Sequence, residues 1–102
     1  MNLYKFTVVF VPERGEEDLY NVFVPALPEV STFGESLEEA RFMAQDALEL
    51  VVLSKLEEGE TIPANKKPTK VPRGAVVEDI LVAVSHEVKS TPLTLDVKTA
   101  FS

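Results

Sequence analysis

The run from Leu3 to Val11 constrains the fold more than any other part of this sequence, because nearly all of it is β-branched or aromatic. Such residues favour a β-strand, and Pro12 ends the run. Side chains of a strand alternate between two faces. One face carries Tyr4, Phe6, Val8 and Phe10, and the other carries Thr7, Val9 and Val11. Because both faces are largely apolar, we expect a helix on one and another subunit on the other.

Two more strands follow the first. The residues from Leu19 to Val24 form a second apolar run, separated from the first by an acidic stretch, and the pair is typical of an antiparallel hairpin. The sequence Pro25-Ala-Leu-Pro28 ends this strand. Val30 to Phe33 is short and rich in strand-forming residues, and it lies between Pro28 and Gly34, which indicates a brief third strand.

A helix is predicted from Ser36 to Glu58. Ser36-Leu-Glu-Glu39 is a capping box, in which the serine hydroxyl accepts from the Glu39 amide and the glutamate reaches back. Gly59 is a natural stop. The predicted core stripe is Leu37, Ala40, Ala44, Ala47, Leu48 and Val51.

The apolar surface of this helix is wider than one sheet can cover. Val52 lies partly outside the stripe, as do four residues that we interpret as an oligomer interface: Phe42, Met43, Leu50 and Leu53. We therefore expect the protein to associate with itself.

After the helix, residues 60–75 hold several prolines with Lys66, Lys67, Lys70 and Arg73, and they predict a loop. The loop lacks the interleaved aromatics and glycine-rich cradle that RNA or phosphate binding favours, so a solvated linker is the preferred interpretation. Residues 76–88 predict the closing strand. We expect residues 1–102 to form one α+β domain with strands at 3–11, 19–24, 30–33 and 76–88, a helix at 36–58, a loop at 60–75 and a tail at 89–102.

Composition narrows the class of partner. The formal net charge of −7 disfavours nonspecific nucleic-acid binding and favours a basic protein partner. There is no cysteine, so disulfides and thiolate metal sites are excluded. Neither an export signal nor an apolar stretch of membrane-spanning length is evident, which predicts a cytoplasmic protein without membrane contact.

The motifs and their order resemble the HicB-like antitoxin family of bacterial toxin–antitoxin systems. The resemblance rests on the segments 4–10, 24–28, 32–40 and 56–63, which read YKFTVVF, VPALP, TFGESLEEA and LEEGETIP. It implies a β-β-β-α-β sheet with a helix on one face, a partial ribonuclease-H-like fold, and dimers or higher oligomers.

The resemblance also implies a function. Members bind a small basic HicA-type toxin, which cleaves messenger RNA, and inhibit it by covering its active site. An orphan oligomeric scaffold or regulator of the same fold, with no toxin, is the alternative. The tail from Lys89 to Ser102 contains no helix-turn-helix pattern or basic recognition face, so DNA binding by this chain is not expected.

The candidate sites are surfaces rather than catalytic centres. The acidic turn contains Glu13, Glu16, Glu17 and Asp18, which lack the spacing of a calcium loop. The preferred interpretation is a hairpin tip exposed to solvent. The more specific hypothesis is that these residues contact a basic toxin. His86 has no nucleophile or base pattern around it and is assigned a structural or interfacial role. We expect no enzyme activity, no cofactor and no metal site.

Overall fold

A computed structural model describes residues 2–15 and 17–85 of the chain. The element order confirms the predicted β-β-β-α-β arrangement and α+β class. The elements are β1 (Asn2–Pro12), β2 (Tyr20–Phe23), β3 (Ser31–Gly34), α1 (Leu37–Glu57) and β4 (Val76–Val84). Within the described residues the boundaries differ from the predicted ones by one or two residues at most, which is the usual scatter at fraying ends. The predicted strand continuation 86–88 and the tail 89–102 lie outside the described residues.

The four strands form one antiparallel sheet in the order β3-β2-β1-β4. The longest strand, β1, therefore lies between β2 and β4. Its register pairs Val9 with Phe23 on one side and Thr7 with Asp79 on the other. Directly paired residues share a face of the sheet, so this register fixes which side chains lie together.

The inner face of the sheet, which carries Phe6, Val8 and Phe10, packs against α1 as the alternation predicts. These three side chains are buried. Helix α1 covers them with a row at four-residue spacing: Ala40, Ala44, Leu48 and Val52. The placement of Val52 partly outside the core stripe was wrong, because this row continues by one more turn.

The segment between β2 and β3 contributes to the core through two consecutive turns. The Leu27 amide donates to the Val24 carbonyl, and the Val30 amide donates to the Leu27 carbonyl, each at 3.0 Å. Pro25 and Pro28 occupy the second position of these turns, where the fixed φ of proline is favourable. The prolines thus direct Val24, Leu27 and Val30 into the core, where all three are buried.

Both ends of α1 are capped. The Glu39 amide donates to the Ser36 hydroxyl at 3.0 Å, which confirms the serine half of the capping box. The Glu39 carboxylate reaches back as predicted, but it accepts from the amide of Glu35, one residue before the cap. At the other end the Gly59 amide donates to the Leu56 carbonyl and the Glu60 amide donates to the Lys55 carbonyl. This Schellman pattern needs the positive φ of +72° at Gly59.

The outer face of the sheet, which carries Thr7 and Val9, is covered differently from the prediction. Both residues are buried within this one chain, so no second subunit is needed over them. The loop of residues 60–75 folds back, and Asn65 hydrogen-bonds to Thr7. Asn65 is itself exposed, in agreement with a solvated loop, but its two hydrogen bonds attach the loop to the sheet at this point.

Candidate functional site

Charge is divided between two sides of the molecule. Helix α1 carries five acidic and two basic residues. Both basic side chains are already ion-paired, Arg41 with Glu78 and Lys55 with Glu29 and Glu60. The loop 60–75, on the opposite side of the sheet, carries four basic residues. The net charge of −7 is therefore distributed unevenly, with an acidic helix side and a basic loop side.

The acidic hairpin turn meets the start of the helix. Glu17, Asp18 and Leu19 line a shallow cleft of about 380 Å³ together with Glu35. We call Glu17, Asp18 and Glu35 the acidic end. Glu35 is distant in the sequence from the turn, and sequence reasoning missed it, although its position immediately before the helix cap was a usable signal. Asp18 has a φ of +68°, a conformation that aspartate tolerates better than most residues.

The four residues of the predicted acidic turn do not act as one group. The Glu13 carboxylate accepts a hydrogen bond from the Asn21 side-chain amide at 2.7 Å, which ties it to the hairpin. Glu17 and Asp18 are exposed. Glu16 lies outside the described residues. Glu17 and Asp18 are therefore accessible to a partner, while Glu13 stabilises the hairpin.

The predicted oligomer-interface residues lie away from the core. Phe42 is 69% exposed and Leu50 is 63% exposed, whereas Met43 and Leu53 are half-buried. Leu53 shares a cleft with Val84, the last residue of β4, and with Ser85, which follows it. The apolar side chains are therefore available for a partner, and the carboxylates of Asp46 and Glu49 stand beside them.

An ion pair joins the helix to the closing strand. The Arg41 guanidinium donates to both carboxylate oxygens of Glu78, at 2.8 Å from Nε to Oε1 and 2.5 Å from Nη2 to Oε2. This hydrogen bonding lowers the pKa of Glu78 and raises the pKa of Arg41, each against a smaller effect of desolvation. At the C-terminal end of the helix, the hydrogen bond from Lys55 lowers the pKa of Glu29. Both helix cations are thus neutralised by the protein's own carboxylates.

An apolar groove of about 570 Å³ lies between the β2–β3 segment and the loop. Its floor includes Val9 and Phe23, and prolines form the walls. Lys70 is the charged residue in its lining. Of the other basic loop residues, Lys67 approaches Asp79 at 3.9 Å between Nζ and Oδ2, and Lys66 and Arg73 are exposed.

No group of three or more histidine, cysteine, aspartate or glutamate side chains suited to a metal ion occurs among residues 2–15 and 17–85. His86 lies outside this range. Among the described residues, no helix combines the length and the apolar character that crossing a membrane requires.

Comparisons with known proteins agree with this architecture. The antitoxin HicB of Burkholderia pseudomallei has a TM-score of 0.64 and 26% identity over 92% of this chain and 72% of that one. Its N-terminal domain has a TM-score of 0.54 and 24% identity over 80% of this chain and 99% of that one. A toxin–antitoxin complex from Streptococcus pneumoniae contains a chain with a TM-score of 0.67 and 18% identity over 91% of this chain and 81% of that one. The comparison with curated proteins gave no match.

The comparison with family models identifies the family directly. The model described as the HicB-like antitoxin of bacterial toxin–antitoxin systems matches residues 7–97. The match contains β2, β3, α1 and β4 completely, together with the second half of β1. The chain therefore belongs to the HicB-like antitoxin family.

Proposed function

We propose that this protein is a cytoplasmic, non-catalytic antitoxin that binds a small basic HicA-type ribonuclease toxin and covers its active site. Family membership supports the antitoxin role. The observation that carries the choice of partner is the neutralisation of both helix cations, Arg41 and Lys55, by the protein's own carboxylates. The helix side is consequently acidic to an approaching protein, and a basic surface is its electrostatic complement.

The contact with the toxin is proposed to centre on the acidic end, Glu17, Asp18 and Glu35. Two separate segments supply these carboxylates to one cleft, so a cation of the toxin placed there meets several charges at once. Exposed single ion pairs contribute little, roughly 0–1 kcal/mol each, whereas converging charges accelerate encounter and select the partner. Glu16 belongs to the same turn and is included in the proposal.

The direct test is an RNA-cleavage assay with the basic protein encoded by a neighbouring reading frame. Purified toxin should cleave RNA, and addition of this chain at equal concentration should suppress cleavage in a complex that co-purifies. Cleavage that continues unchanged in a demonstrated complex would refute inhibition. The lack of any toxin that binds would favour the alternative, an orphan scaffold or regulator.

The location of the contact is tested by charge reversal. The triple variant Glu17→Lys, Asp18→Lys, Glu35→Lys should lower the affinity for the toxin. It should also reduce the dependence of that affinity on salt concentration. The matched control Glu57→Lys, Glu58→Lys, Glu60→Lys changes net charge equally at the other end of the helix. Equal loss of affinity in both variants would indicate long-range attraction without a contact at the acidic end.

A further inference from the structure

Two exposed phenylalanines lie on the outer face of the sheet. Phe23 in β2 is 49% exposed and Phe33 in β3 is 52% exposed. The register pairs Phe23 with Ser31 and Asn21 with Phe33, so the two rings are diagonal neighbours on the same face. Diagonal neighbours of this kind are about 7–8 Å apart, which is within reach of aromatic side chains. We call Phe23 and Phe33 the aromatic pair.

The apolar groove extends this surface toward the basic loop. Phe23 and its ladder partner Val9 both line it. Pro68, Lys70 and Pro72 line it from the loop. Its volume of about 570 Å³ lies within the range of roughly 300–1,000 Å³ that is usual for ligand sites. The aromatic pair is therefore continuous with a groove that is large enough for a flat apolar group and has a cation in its lining.

The loop supplies further cations on this side of the sheet. Lys66, Lys70 and Arg73 are exposed and form no ion pair with any residue of the ranges 2–15 and 17–85. Carboxylates occur instead at the hairpin end of the sheet, where Glu13 bonds to Asn21 and Glu35 follows β3. A bound anion should consequently lie along the loop and away from the hairpin.

Exposed aromatic rings beside lysine and arginine are typical of surfaces that bind single-stranded nucleic acid. On such surfaces unpaired bases stack on the rings, while the cations contact the phosphates. The loop has no aromatic residue of its own, and the fold places it beside those of β2 and β3. A duplex keeps its bases stacked on one another and has no comparable use for the rings.

We propose that the outer face of the sheet binds single-stranded nucleic acid, with bases stacked on the aromatic pair and phosphates along the basic loop. The acidic helix lies across the sheet from this surface. Exposed charges farther apart than the Debye length, about 10 Å at 0.1 M salt, are largely screened from each other. The net charge of −7 is thus compatible with a local anion site. The site is separate from the acidic end and does not depend on toxin binding.

Binding is tested by fluorescence anisotropy of a labelled ten-nucleotide oligouridylate, titrated with the full chain. Nonspecific sites of this kind have dissociation constants of about 10⁻⁶–10⁻⁴ M, and we expect a value in this range. Oligothymidylate of the same length is the second probe, and preference for one of them identifies RNA or DNA as the ligand. Duplex RNA should bind more weakly. Equal affinity for the duplex, or unchanged anisotropy up to about 1 mM protein, would overturn the proposal.

Stacking is tested by replacing the aromatic pair. Phe23→Leu with Phe33→Leu keeps apolar side chains but removes the rings, and it should raise the dissociation constant by about fivefold or more. Tyrosine at both positions keeps the rings and should bind like the parent. The control Phe42→Leu changes a ring that is 69% exposed on the helix. Circular dichroism verifies folding. Full affinity in the double leucine variant would overturn stacking and favour an acidic apolar peptide as the occupant.

Phosphate contact is tested by the salt dependence of the affinity. Each contact with a single strand contributes about −0.7 to the slope of log affinity against log salt. Lys66→Gln with Lys70→Gln should therefore make the slope less steep by about 1.4. The control Arg41→Gln with Lys55→Gln removes the same charge from the helix side, where both cations are ion-paired. Equal changes in the two double variants would indicate long-range attraction alone and overturn the proposed contacts.

Discussion

The side chain of Asn65 forms two hydrogen bonds with Thr7 on the outer face of the sheet. Its side-chain Oδ1 accepts from the Thr7 amide at 2.8 Å, and its Nδ2 donates to the Thr7 hydroxyl at 2.9 Å. That hydroxyl in turn donates to the Asp79 carboxylate at 2.8 Å. Since Thr7 is buried, Asn65 satisfies a strand amide that neither neighbouring strand reaches. This pair of bonds attaches the basic loop to the sheet.

Replacing Asn65 by alanine should destabilise the protein by about 1–3 kcal/mol, because it leaves the buried Thr7 amide without a partner. Urea unfolding monitored by circular dichroism measures the change. The neighbouring variant Lys66→Ala removes an exposed side chain and should stay within about 0.5 kcal/mol of the parent. If Asn65→Ala unfolds at the same urea concentration as the parent, the bonds to Thr7 contribute nothing to stability.

Replacing Gly34 by alanine should also destabilise the fold, for a steric reason. A Cβ there would contact the backbone of α1, 2.6 Å from the Ala40 Cα and 2.8 Å from the Glu39 carbonyl carbon. Such overpacking typically costs about 1–3 kcal/mol, and here the obstacle is helix backbone that cannot rotate aside.

The control for Gly34 is Gly59→Ala. Gly59 has open space around its Cα, but its positive φ makes alanine strained by about 1–2 kcal/mol. Asparagine, which tolerates this conformation, should restore part of the stability at position 59 and none at position 34. If asparagine restored stability equally at both positions, a steric clash would not be the reason that position 34 requires glycine.

The sequence predicted the elements because each has a local cause. Ser36 and Gly59 delimit the helix through their own backbone bonds, and the alternation along β1 assigns Phe6, Val8 and Phe10 to the inner face. These signals act within a few residues. The order of the elements and the α+β class could therefore be inferred before any contact was known.

Contacts between distant segments could not be inferred in this way. Asn65 and Thr7 are separated by 58 positions, and nothing in the polar composition of the loop distinguished Asn65 from its neighbours. The cleft that joins Glu35 to Asp18 likewise depends on the folded position of the hairpin. The oligomer-interface residues, including Phe42, were identified as surplus apolar surface. Phe42 and Leu50 are exposed whereas Met43 and Leu53 are half-buried, and the role of all four in association stays a prediction.

Removal of the helix cap gives a third test of local structure. Ser36→Ala deletes the acceptor of the Glu39 amide and should lower the free energy of unfolding by about 1 kcal/mol. Ser54→Ala, at an exposed position inside the same helix, should be neutral or slightly stabilising, because alanine has the higher helix propensity. A larger loss in the free energy of unfolding for Ser54→Ala than for Ser36→Ala would contradict this prediction.

Acid should weaken the attachment of the helix to β4. The hydrogen bond from Arg41 lowers the pKa of Glu78 below its ordinary value of 4.5. A carboxylate with a lowered folded-state pKa contributes stability that is fully present above the unfolded-state pKa and is lost as the pH falls through the folded-state value. Arg41 stays protonated throughout, because its raised pKa lies far above this window. The contribution should therefore be constant near neutrality and decline below about pH 4.5.

The measurement is the difference in urea midpoint between the parent and Glu78→Gln at neutral and acidic pH. The parent should be more stable at neutral pH, and the difference should shrink toward zero once Glu78 is protonated. Glu57→Gln, whose carboxylate forms no ion pair among the described residues, should show no comparable trend. Both side chains of the Arg41–Glu78 pair are partly exposed, so high salt should reduce the neutral-pH difference as well. A difference that persists unchanged in acid would mean that Glu78 acts through packing and not through its charge.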